Sequence, residues 1–173
     1  MYRRGTLRLY FTNRNSSCDK QKLFLFLHLK TTIDMLKDRV PYWIDLADYD
    51  IETAETLYNG GRWLYVAFMC HQAIEKTLKA YWCDTLHTDP PFIHNLIRLV
   101  EGTGLEKEMT EAQLDTIETL VPMNIQARYP EYKEQLAQML SKERCRIIID
   151  ETKQLQQWIK NKLSDSSKDT SKS

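Results

Sequence analysis

The chain of 173 residues contains no apolar run approaching the roughly 18–20 residues that a membrane-spanning helix needs. No membrane partner is expected from it. Its four cysteines, Cys18, Cys70, Cys83 and Cys145, form no CxxC pair and share no metal-ligand spacing, so reduced thiols in a cytoplasmic protein are the plain reading. A P-loop and a dinucleotide-binding glycine pattern are absent, and the histidines are scattered. Neither a cofactor nor a metal is expected. The carboxylate pairs Asp45 with Asp48 and Asp48 with Glu52 read as a solvated helix face, not as a cation site.

Net charge is also missing, because 24 basic residues balance 24 acidic ones. The balance is uneven along the chain. Residues 1–34 carry Arg3, Arg4, Arg8, Arg14, Lys20, Lys22 and Lys30 against Asp19 and Asp34, a surplus of five positive charges. The remainder therefore carries five surplus negative charges, which argues against nucleic-acid binding through a broad basic face. Local basic pockets stay open. The segment of residues 1–40 reads as a poorly structured extension, since patterned sequence starts only at Pro41. Its basic-then-apolar order resembles a signal peptide, but His28 and Lys30 interrupt it and a small-residue cleavage site is lacking. An over-long start is the preferred account of it, with an interfacial anchor as the third alternative.

What is present is helical punctuation. Residues 41–163 read as an all-α antiparallel bundle of about five helices. Pro41 suits a first turn. A helix over Tyr42–Tyr58 would turn Trp43, Leu46, Ala47, Ile51 and Ala54 inward and leave Asp45, Asp48, Glu52 and Glu55 largely outside. Asn59-Gly60-Gly61 ends it, and the short break makes the next helix, Arg62–Asp84, its antiparallel neighbour. A third helix is expected over Ile93–Glu101. Thr110 and Gln113 form a capping box for a fourth, which should break near Pro122 and lead into a connection over Asn124–Lys133. After a possible extra turn at Glu134–Leu140, Ser141 caps a last helix over Lys142–Lys162. The polar tail of residues 164–173 has no apolar residue and is expected to be disordered.

The segment Tyr65–Tyr81 is the most distinctive. Ala67, Cys70, Ala73, Ile74, Leu78 and Tyr81 make an apolar stripe at helical spacing. Beside it His71, Glu75 and Lys79 form a polar ladder at i, i+4 and i+8, flanked by Gln72 and Lys76. An exposed Glu–Lys pair at this spacing gives only about 0.2–0.5 kcal/mol, so stability explains the ladder poorly. Two readings stay open. In one, His71 hydrogen-bonds across the bundle while Glu75 and Lys79 pair on the surface. In the other, the ladder edges a groove where Lys76 or Lys79 meets phosphate and His71 or Gln72 meets a base or ribose.

The series LYNGGRW, AFMCHQAIEKTLKAYW, His94-Asn95-Leu96 and ARYPEY, at Ala127–Tyr132, resembles the HEPN domain, a small helical module. The resemblance runs from about Tyr42 to Leu163. It implies an antiparallel bundle that usually forms a homodimer, binds nucleotide or RNA, and is often encoded beside a nucleotidyltransferase. It adds Arg128 and Tyr129 to the candidates: Arg128 as a phosphate fork or as a partner of an acid such as Glu75, Tyr129 as a residue packing on the bundle. His94, near a helix start, joins them as a binding, capping or packing residue. The chain departs from the ribonucleases of this family. They carry a histidine after an Arg and four to six intervening residues, whereas Lys133, Glu134 and Gln135 stand there after Arg128. General acid–base cleavage of RNA thus lacks its usual carrier, and no catalytic residue is expected. The alternatives are an interaction or dimerisation module without nucleotide binding, and a divergent ribonuclease toxin.

Overall fold

The computed structural model describes residues 22, 24–28, 30, 39–126 and 139–169, with side chains through residues 124 and 163 in the last two stretches. Among the described residues from Arg39 onward there are six α-helices. These are α1 (Arg39–Asn59), α2 (Trp63–Leu86), α3 (Leu96–Thr103), α4 (Glu111–Leu120), the short α5 (Met123–Gln126) and α6 (Lys142–Asp169), with a 3-10 turn at Leu105–Lys107. No strand occurs among the described residues, and the fold is an all-α bundle. No helix among them is long and apolar enough to cross a membrane.

Local chemistry sets most boundaries. Gly61 takes φ +67°, a left-handed conformation open to glycine at no steric cost, and the Arg62 N–H reaches back 2.8 Å to the Leu57 carbonyl. Thr110 and Gln113 make both bonds of the capping box. Ser141 accepts from the Arg144 N–H at 3.2 Å, the cap expected of it. Several boundaries differ from expectation. α2 runs past Asp84 to Leu86 and stops where His87 turns left-handed at φ 51°, before the prolines. α3 starts at Leu96, not Ile93, because the Asn95 side chain caps it by accepting from the Arg98 N–H at 3.1 Å. Helix resumes at Met123, directly after Pro122, and runs to Gln126, into the expected connection. α6 continues to Asp169, six residues into the tail read as disordered. Upstream, Phe24–His28 are helical with Phe24, Leu25 and Phe26 exposed, where no helix frame was legible.

α1 and α2 form the expected hairpin, but α2 is the centre of the molecule, packed against α1, α3, α4, α5 and α6. Its expected stripe is buried, Tyr81 only partly, together with Val66 and Thr77, and burial extends round the helix to His71, Glu75, Lys79 and Cys83. A helix surrounded in this way buries most of its circumference. Ile148, Ile149, Leu155 and Ile159 of α6 close the core, with Trp158 packed at its margin. Burial pushes the Cys70 thiol up to about 12, so it stays protonated and acts as a small apolar group.

Two acids expected outside on α1 line a seam with α6 instead. Glu55 accepts two hydrogen bonds from Arg146, both 3.0 Å, and a third from Lys153. Asp48 accepts from Gln156 at 2.9 Å and from Lys160. The Arg146 guanidinium also lies 4.1 Å over the Tyr58 ring. Asp45 and Glu52 are exposed as expected.

Candidate functional site

The ladder lies inside the bundle, at the middle of α2. His71 is fully buried, and Glu75 and Lys79 are exposed by only 3% and 7%. His71 hydrogen-bonds across the bundle, and the Glu75–Lys79 pair, expected on the surface in one reading, is enclosed among the described residues. The cause is the central position of α2, which no count of apolar residues along one helix reveals.

Glu75 is a hub. Lys79 Nζ donates to its Oε1 at 2.8 Å, His94 Nδ1 lies 3.0 Å from Oε2, and His71 Nε2 approaches Oε2 at 3.5 Å. Burial alone pushes the Glu75 carboxyl up, but the contacts from His71, Lys79 and His94 outweigh it and hold the carboxyl at about 2. His71 Nδ1 lies 2.9 Å from the Leu120 carbonyl oxygen. A carbonyl only accepts, so Nδ1 carries the proton and ties α2 to the end of α4. His71 Nε2, buried and 3.5 Å from Glu75, has no hydrogen bond of normal length. The Lys79 ammonium sits 5.3 Å from the Trp43 ring centroid, a cation–π contact with α1.

Lys76 donates to Asp50 of α1, a residue the sequence reading did not single out. Asp50 is buried one position before Ile51, and that place between inward residues was the available signal. Lys76 and Lys79 are thus each matched by a buried carboxylate within the chain. Gln72 is half-buried between them.

His94 is the ladder's outlet. Its side chain is 60% exposed although Nδ1 is engaged by a carboxylate that is almost fully enclosed. It precedes the α3 cap and packs against α2, so its partner is Glu75 and not the helix end. Arg128 and Tyr129 lie outside the described residues. Among the described residues no group of three His, Cys, Asp or Glu could hold a metal ion. A groove of about 340 Å³ between α4 and α6, lined by Thr110, Gln113, Thr116, Glu151 and Gln154, includes no ladder residue.

Comparison with known proteins agrees with this architecture. The HEPN domain family model matches residues 40–162. The crystal structure of TT1696 from Thermus thermophilus superposes with a TM-score of 0.63, at 17% identity, over 72% of this chain and 98% of that one. That likeness is one of fold. No curated protein matches the chain.

Proposed function

The chain belongs to the HEPN domain family, and on that premise we propose that it is a non-catalytic nucleotide- or RNA-binding module of the cytosol. It acts as a homodimer or beside a nucleotidyltransferase. The observation that carries this reading is the Glu75 hub: a buried carboxylate, held ionised at neutral pH, that engages one exposed imidazole, His94, at the surface. With Nδ1 directed to Glu75, Nε2 of His94 is the nitrogen left to meet a ligand. Lys76 and Lys79 have positioning roles in this scheme, because a phosphate would have to displace Asp50 or Glu75 to reach them. His71 fixes α2 to α4, and Gln72 flanks the hub. The phosphate fork is assigned to Arg128, whose guanidinium suits bidentate contact, with Tyr129 beside it.

Calorimetric titration with ATP, other nucleotides and short RNAs tests the reading. Binding tighter than millimolar that weakens in His94→Ala and in Arg128→Ala supports it. No binding below millimolar, or full affinity in both variants, overturns it. Incubation with mixed transfer and messenger RNA between about pH 6 and pH 8 should give no cleavage, because no histidine follows Arg128 at the family spacing. Cleavage lost in Arg128→Ala and in His71→Ala or His94→Ala would make the chain an enzyme.

A purely protein-binding role has one observation in its favour. Tyr42 and Tyr49, seven residues apart on α1, are 58% and 70% exposed. Under that role Tyr49→Glu would lower the mass seen by light scattering and leave nucleotide affinity unchanged.

A further inference from the structure

Resting on the nucleotide- or RNA-binding reading, we propose that Phe92 is the stacking platform for an unpaired nucleobase and that Arg98 receives the adjoining phosphate.

Phe92 is fully exposed, at 104% of the reference area. Its mount is well fixed. The Ile93 N–H donates to the Pro91 carbonyl at 2.8 Å, which closes a three-residue turn with Phe92 at its apex. Among the described residues His87 is the sole non-glycine with positive φ, so this is the inverse, unstrained form of the turn. Pro90 on one side is buried, and Ile93 on the other packs against the core. The next residue, His94, is anchored 3.0 Å from buried Glu75, and Asn95 caps α3. A large aromatic ring is thus held on a rigid corner with nothing of the described chain over it. Such a ring contributes little to folding, but it presents a π-face at low ordering cost, and every base can stack on one.

The surroundings favour an anionic aromatic ligand. Phe92 and His94 are both exposed, one on each side of Ile93, which packs against the core. Arg98 lies in the first turn of α3, four residues after His94, and is exposed where Leu96, Leu99 and Val100 are buried. Its guanidinium makes no ion pair within 4.0 Å among the described residues. The nearby acids are already matched, Glu75 by Lys79 and Asp89 by Arg39. Exposed Glu101 lies one turn further along α3 than Arg98. An aromatic face, an imidazole and an unmatched guanidinium in one short stretch suit a base, its ribose or edge, and a phosphate respectively.

The test is fluorescence anisotropy on the full chain with a labelled single-stranded oligoadenylate, a duplex of equal length, and AMP as competitor. Phe92→Ala should weaken single-strand binding about tenfold or more, Phe92→Trp should preserve it, and melting temperatures should stay unchanged because the ring is exposed. Arg98→Gln should weaken binding and flatten the salt dependence, by about 0.7 in the slope of log K against log salt for one lost phosphate contact. Competition by AMP would identify a mononucleotide site, and its absence with intact oligonucleotide binding an RNA site; either supports the platform. Wild-type binding with Phe92→Ala unaffected overturns this inference and leaves the general reading standing. Tighter binding of duplex, or a change of oligomeric mass in Phe92→Ala at constant affinity, also overturns it. No binding of any probe by the wild type overturns both.

Discussion

Replacing Glu75 by glutamine keeps the size of the side chain and removes its charge. The variant leaves the Lys79 ammonium, 7% exposed and facing the Trp43 ring, without a counter-charge. Holding a carboxyl at about 2 against an ordinary 4.5 amounts to about 3 kcal/mol near neutrality. Removing one member of a buried pair independently suggests about 3–5 kcal/mol. Since the amide oxygen can still accept from Lys79, the lower figure, about 3 kcal/mol, is expected for Glu75→Gln. The sign with pH follows from the direction of the shift. The folded-state value is lowered, so the stabilisation is complete above the ordinary carboxylate range and disappears as pH falls towards about 2. Urea unfolding followed by helical circular dichroism at a series of pH values measures this. The gap between wild type and Glu75→Gln should be about 3 kcal/mol at neutral pH and should shrink progressively below the ordinary carboxylate range. The double variant Glu75→Gln with Lys79→Met should recover at least about 1 kcal/mol, because no buried charge is then left unpaired. A gap below about 1 kcal/mol at neutral pH, or one that does not narrow in acid, would refute the account of Glu75 as a charge-paired hub.

Three further outcomes are expected. Gly102→Ala should destabilise by about 1–3 kcal/mol despite the better helix propensity of alanine, because the new Cβ would meet the Trp82 ring at 2.3 and 2.6 Å; denaturant titration checks this, and Trp82→Leu should relieve the loss. Thr110→Ala removes a capping bond of α4 and should cost about 1 kcal/mol, measurable as a lower midpoint with unchanged m-value. Arg146→Lys should cost about 1 kcal/mol, since an ammonium cannot reproduce both 3.0 Å bonds to Glu55 or the stacking on Tyr58; a melting temperature equal to wild type would contradict that role.

The helical bundle was legible in the residues themselves. Helix formation and termination depend on neighbours within a turn or two, so Gly61, Thr110 with Gln113, and Ser141 announce their caps, and the stripe from Ala67 to Leu78 announces a core-facing helix. The apolar pattern places the start of α3 at Ile93, whereas the Asn95 side chain, accepting from the Arg98 N–H, starts it at Leu96. The end of α2 fell at His87: a left-handed histidine has no sequence signature as strong as a glycine or proline.

The family and the ladder were likewise readable as a pattern of residue types, but what the ladder does was decided only by tertiary structure. The spacing of His71, Glu75 and Lys79 dictates that they share one face of a helix, and that follows from 3.6 residues per turn. Whether that face meets water or protein depends on partners 19 to 49 residues away, His94 and Leu120, and on α1 supplying Trp43 and Asp50. The same side chains on an outer helix would form a surface pair worth a few tenths of a kcal/mol. Enclosed at the centre of the bundle they become a low-dielectric charge hub, because burial removes the water that would otherwise screen them.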